Sequence, residues 1–237
     1  MGDKVTIPAL AQMKREGRKS VGVVAWDYQI ARIADRAGVD IVSVGDSVGV
    51  NLWGHSNPLE VTMEEMLVVC KAVRRGVERA LVSCDFPFGP LQEGTESAVR
   101  AAIRLVKEGG ADMVKLDGAA EFPDAVRALT RAGIPVFAQF GLTPQTALHY
   151  GVPYSAQAAS GAQARPHMTA KLVEEAKLLE AAAHLCTPVA HRSFLILGLA
   201  RARPNLPITC APEKGKRFTP PDCACRRQTI RRPSPAC

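Results

Sequence analysis

Short apolar runs alternate along the chain with longer segments whose apolar positions recur at helical spacing. The apolar runs at 21–25, 39–44, 80–84, 113–116 and 135–140 predict five strands. The segments 7–16, 28–37, 62–75, 95–108, 124–132 and 169–183 predict helices, the first of them lying over the bottom of the sheet. Start and stop signals support this division. Asp27 is placed to cap the second helix, and Thr62-Met-Glu-Glu65 has the form of a capping box. Helix-to-strand connections repeat one formula, seen in Arg36-Ala-Gly-Val-Asp40, Glu108-Gly-Gly-Ala-Asp112 and Arg131-Ala-Gly-Ile-Pro135. Strict β/α alternation implies a parallel sheet with crossover helices. Residues 53–58 and 146–168 read as loops.

Three of the strands end in chemistry. Ile41-Val-Ser-Val-Gly-Asp-Ser-Val-Gly49 breaks into a tight polar turn that offers Asp46 and Ser47. Ala80-Leu-Val-Ser-Cys-Asp85 ends in Asp85, and Met113-Val-Lys-Leu-Asp117 carries Lys115 and Asp117. In parallel α/β folds the C-terminal strand ends are where chemistry collects. A single Asp after a strand is ordinarily a helix cap or turn former. Three at successive strand ends, together with a lysine inside an apolar strand, outweigh that reading, because a buried ammonium is costly without an anion. The histidines and Cys223-Ala-Cys225 show no metal-ligand spacing.

Composition splits the chain in two. Residues 1–183 carry a net charge of −1, and residues 184–237 carry +8. The latter also hold five of the seven cysteines and eight of the seventeen prolines. No apolar run is long enough for a membrane span and no signal peptide is visible, so a cytoplasmic, reducing setting is expected, with Cys70 and Cys84 as core thiols. The basic excess lacks any nucleic-acid motif or aromatic interleaving, and neither a nucleic-acid nor a membrane partner is expected.

Four segments, Val44-Gly-Asp-Ser-Val-Gly49, Cys84-Asp-Phe-Pro-Phe-Gly89, Val114-Lys-Leu-Asp-Gly118 and Gly141-Leu-Thr-Pro-Gln145, resemble ketopantoate hydroxymethyltransferases. These belong to the phosphoenolpyruvate mutase/isocitrate lyase superfamily of barrels. The likeness runs in order from about residue 4 to residue 182. It implies a (β/α)8 TIM-barrel fold and transfer of a one-carbon unit from 5,10-methylenetetrahydrofolate to 3-methyl-2-oxobutanoate, with Mg2+ as the metal. It further implies Asp46, Asp85 and Asp117 at the metal, and Asp46, Ser47, Asp85, Lys115 and Gln139 at the small 2-oxoacid. A homo-oligomer is implied if the barrel is complete. The sequence departs from the family twice: Asp117 stands in place of Glu, and Gln139 in place of His. These departures leave open a Mg2+-dependent lyase or mutase acting on another 2-oxoacid.

The resemblance stops where the composition changes. Residues 1–183 are expected to form the catalytic barrel domain and 184–237 an aberrant basic tail rich in Cys and Pro. After Leu179-Glu-Ala-Ala the connecting formula calls for Gly-Ala and an apolar sixth strand, but the chain reads Ala183-His-Leu-Cys186. A one-base shift of reading frame at that point accounts for the tail. The other account is a divergent, disordered extension. On either account the barrel is incomplete after its fifth β/α unit, an inactive product is a third functional outcome, and the family's general-base Glu has no match.

Overall fold

In a computed structural model of the chain, residues 3–141, 143 and 166–182 are described. Five strands alternate with helices: α1 (Ile7–Arg15), β1 (Gly22–Val24), α2 (Tyr28–Arg36), β2 (Ile41–Val44), α3 (Met63–Gly76), β3 (Leu81–Asp85), α4 (Thr95–Lys107), β4 (Met113–Leu116), α5 (Pro123–Arg131) and β5 (Val136–Ala138). A sixth helix, α6, spans Pro166–Ala182. The strands form one parallel sheet in chain order, β1-β2-β3-β4-β5. This is the succession expected of a (β/α) barrel, in which each crossover helix returns the chain to the next parallel strand.

Period two along the strands divides their faces. Val42, Val44, Val82, Cys84, Val114, Leu116, Val136 and Ala138 are buried, and pack with Met66, Cys70, Val73, Leu105, Val126 and Leu129 of the helices. The opposite face carries two registered rows, Ser43–Ser83–Met113 and, nearer the C-terminal ends, Asp85–Lys115–Phe137. Cys70 and Cys84 are buried free thiols, as the sequence implies.

The predicted caps form. Asp27 Oδ1 accepts the Ile30 N–H at 2.8 Å, and Thr62 and Glu65 make a reciprocal capping box. Helix α1 covers the N-terminal strand ends, where Leu10, Ile7 and Met13 pack on Ile41 and Leu81. Carboxylates stitch this end of the sheet: Asp35 accepts the N–H groups of Glu78, Arg79 and Ala80, and Asp112 that of Val82. Helices α2 and α3 meet closely at Gly76, where a β-carbon would lie 2.5 Å from the Tyr28 carbonyl oxygen.

Three local readings change. The turn after Asp46 continues into a π-helical turn, Gly49–Trp53, that Gly54 ends at φ 75°. Residues Pro58–Glu60 form a single 3-10 turn. Helix α6 begins three residues before the predicted 169, at Pro166. Proline at a helix's first position forfeits no hydrogen bond, so it favours that start. The rest of the predicted 146–168 loop and the tail, 184–237, lie outside the described residues.

Among the described residues β1 and β5 are the outer strands. On and beside β1 the apolar side chains stand open, Val21 at 52% and Val24 at 48% of full exposure. No helix among the described residues is long and apolar enough to cross a membrane.

Candidate active site

The C-terminal ends of β2, β3 and β4 bring the predicted polar residues together. Strand register sets Asp85 of β3 directly beside Lys115 of β4. Lys115 Nζ donates to Asp85 Oδ2 at 2.6 Å and lies 3.2 Å from Asp117 Oδ1. Asp117, in the turn just beyond β4, lies close enough to Lys115 to share its charge. Asp46 follows β2 at the same level, with Gly45 keeping the turn open. All three carboxylates are almost fully buried.

Burial and mutual repulsion set the electrostatics. Burial raises the Asp46 carboxyl well above the ordinary carboxylate range, and the charges of Asp85 and Asp117 push it further up. Asp85 is raised to about 6, chiefly by burial, with Lys115 opposing that rise. Burial alone would lower Lys115, but Asp117, Asp85 and Asp46 together hold it above its ordinary value. The lysine is therefore a fixed cation, and the carboxylates share its charge.

Gln139 is buried just beyond β5. Its N–H donates to the Leu116 carbonyl at 2.9 Å, and its own carbonyl accepts the Ala119 N–H at 3.0 Å. Both bonds tie it to the chain on either side of Asp117. Ser47, half-buried, opens the turn after Asp46.

Two features carry no signal by which sequence reading assigned them a role. Trp26, two residues beyond β1, has a buried indole Nε1 with no hydrogen-bond partner among the described residues. Its position after a strand was the available clue. On α6, Lys171 lies 3.4 Å from Glu175 and 4.0 Å from Glu121, in a small cavity beside Phe140 and Gly141. Lys171 and Glu175 are one turn apart on α6, whereas Glu121 comes from a segment 50 positions earlier and only packing brings it in.

The arrangement fits a hard divalent cation. Among the described residues no three His, Cys, Asp or Glu side chains form a ready-made metal cage. Mg2+ does not need one, since it takes one or two carboxylates and completes its octahedron with water and substrate oxygens. Asp85 Oδ1 is a buried acceptor without a hydrogen-bond partner, and Asp117 Oδ1 has the Lys115 ammonium at 3.2 Å. Three carboxylates against one ammonium leave two negative charges to neutralise when all are ionised.

A parallel (β/α) barrel-type sheet defines the fold class, and solved structures agree. The fold is similar to 2,3-dimethylmalate lyase, a member of the phosphoenolpyruvate mutase/isocitrate lyase superfamily (TM-score 0.54, 14% identity, 84% of this chain and 67% of that one). It is also similar to phosphonopyruvate hydrolase in complex with oxalate and Mg2+ (TM-score 0.57, 16% identity, 84% and 69%). Within that class the family is specific: the ketopantoate hydroxymethyltransferase profile matches residues 4–187, and the chain belongs to this family. The 3-methyl-2-oxobutanoate hydroxymethyltransferase of Flavobacterium johnsoniae is 41% identical over 177 residues, which cover 75% of this chain and 63% of that protein. Its namesake in Cyanothece sp. is 49% identical over 150 residues, 62% and 57% of the two. The chain thus spans about three-fifths of the length of these relatives.

Proposed function

We propose that the chain carries the active site of a 3-methyl-2-oxobutanoate hydroxymethyltransferase, which moves a hydroxymethyl group from 5,10-methylenetetrahydrofolate to 3-methyl-2-oxobutanoate and yields 2-dehydropantoate for pantothenate synthesis. The observation that carries this reading is the buried Asp85–Lys115–Asp117 cluster beside Asp46, within the family match. Asp46 and Asp85 would hold Mg2+, with Asp117, one methylene shorter than the family's Glu, reaching it through water. Bound there, Mg2+ supplies a Lewis acid that stabilises negative charge on the oxoacid as it loses the proton beside its carbonyl.

The chain's own groups do the rest. Lys115 stays protonated and offers a fixed positive charge to the oxoacid. Ser47 offers a hydroxyl to the substrate carboxylate, and Gln139 a neutral hydrogen-bond donor that cannot carry charge. Burial keeps water from screening these interactions. No described residue is assigned as the general base. The reaction is placed in the cytoplasm, with the complete enzyme acting as a homo-oligomer.

Gln139 and Asp117 favour a second reading, a Mg2+-dependent lyase or mutase acting on another 2-oxoacid. One experiment separates the two. The purified chain is incubated with Mg2+ and either 3-methyl-2-oxobutanoate or another 2-oxoacid, with and without methylenetetrahydrofolate, and 2-dehydropantoate and loss of each oxoacid are measured. Folate-dependent product supports the transferase, while folate-independent cleavage of another oxoacid supports the lyase or mutase.

A further inference from the structure

One apolar side chain stands in the row of charged groups that makes the site. Strand register places Asp85, Lys115 and Phe137 side by side across β3, β4 and β5, on the face of the sheet turned away from its helices. Neighbouring strands lie about 4.8 Å apart, so the phenyl ring springs from the backbone one strand spacing from the lysine stem. In the row beneath, Ser83 and Met113 are almost fully buried and offer a ligand no surface. Lys115 keeps 14% of its side chain exposed, and Phe137 is half-buried. Both can therefore be touched from the C-terminal side of the sheet. Phe137 also lies outside both hydrophobic clusters of the described residues, whereas Val136 and Ala138 on either side of it belong to the helix-facing core. Apolar burial is favourable in proportion to the area removed from water, so a ring with open surface beside polar groups is a place where the apolar part of a ligand is received. The other groups of the site, Asp46, Ser47, Asp85, Lys115, Asp117 and Gln139, recognise charge and oxygen and leave the hydrocarbon end of a 2-oxoacid without a partner.

We propose that Phe137 is a specificity-determining residue: its ring packs against the alkyl group of the 2-oxoacid whose oxygens are held at Lys115 and the metal. This deepens the proposed function and rests on it, because the alkyl group in question is that of the oxoacid bound there. In 3-methyl-2-oxobutanoate two methyl groups stand on carbon 3, the carbon that loses the proton. Contact with the ring therefore selects for branching at the reacting centre itself.

The test compares the wild-type chain with Phe137→Ala and Phe137→Leu by calorimetry in the presence of Mg2+. The ligands are 3-methyl-2-oxobutanoate, pyruvate, which lacks both methyl branches, and oxalate, which has no alkyl group. The wild type binds 3-methyl-2-oxobutanoate about tenfold or more tightly than pyruvate, the lower end of what one apolar group is worth in a hydrophobic contact. Phe137→Ala loses most of that preference through weaker binding of the branched ligand, while its oxalate affinity stays at the wild-type value. Phe137→Leu keeps an apolar wall and a preference of intermediate size. A residue that merely propped the sheet would weaken all the ligands alike. No preference in the wild type, a preference unchanged in Phe137→Ala, or an equal loss of all three affinities overturns the inference and leaves the proposed function standing. If Phe137→Ala fails to fold, Phe137→Leu decides alone, and a preference equal to that of the wild type overturns the inference. A folded wild-type protein that binds none of the three with Mg2+ overturns the inference together with the proposed function.

Discussion

Lys115 shows how one residue can be indispensable to a buried cluster. Its ammonium neutralises Asp85 at 2.6 Å and stands 3.2 Å from Asp117, in a place water scarcely reaches. Removing one partner of a buried pair leaves uncompensated charge, at a typical cost of about 3–5 kcal/mol. Lys115→Met should therefore lose stability of that order at pH 8 in urea unfolding. The loss should shrink toward pH 5. Asp85 already has a native carboxyl raised to about 6, above its unfolded value, so its ionisation destabilises the fold as pH rises through that range. Without the lysine the rise grows, and protonation rescues the variant at low pH. An equal loss at both pH values would refute the account. The same titration governs the metal. Protons compete with Mg2+ for Asp85 and for Asp46, both raised by burial, so calorimetric Mg2+ affinity should climb as pH rises from 5 to 8. Asp46→Asn removes a proposed ligand and should abolish Mg2+-dependent oxoacid binding. Gln139→His restores the family's residue and should preserve or improve turnover of 3-methyl-2-oxobutanoate. If that variant instead loses a different native activity, the lyase or mutase reading gains.

At the scale of elements, the site is held by how closely helices sit on the sheet. Gly76 lets α3 press against α2, where an added methyl would meet backbone, Tyr28 O at 2.5 Å and Arg32 N at 3.0 Å. Backbone does not yield as a flexible side chain does, so Gly76→Ala should cost about 1–3 kcal/mol despite the better helix propensity of alanine. A chemical-denaturation midpoint at or above that of the wild type would show that α2 can shift freely. Much of this level was legible. Period-two burial, the Asp27 cap and the Thr62–Glu65 box are local signals; four of the five strands lie at or within a predicted run, and β3 runs one residue past its own, to Asp85. The Gly49–Trp53 π-turn and the Pro166 start of α6 were not legible, because turns and helix ends depend on neighbours that the local pattern does not contain.

For the whole molecule the question is the edge at β1. A barrel closes by pairing its last strand with its first, and closure removes the exposed edges that invite aggregation. Among the described residues β1 is an outer strand with Val21 and Val24 half open, and the chain spans about three-fifths of the length of the relatives cited above. We expect the 237-residue chain to express poorly and turn over little substrate. If a one-base frame shift made the tail, a version restored to frame near codon 183 should be soluble and active. Soluble yield and the rate of 2-dehydropantoate formation, measured side by side, decide this. A cooperatively unfolding 237-residue protein with a rate typical of enzymes would sink the expectation and would require a general base not yet identified.

The sequence by itself determined the parallel β/α order, the helix-facing core and the set of groups available for chemistry. These follow from local periodicity, from turn residues and from carboxylates that must emerge where parallel strands end. Only the tertiary structure decided which groups meet. Strand register, a non-local property, set Asp85 against Lys115 and closed the carboxylates into one charge-sharing cluster.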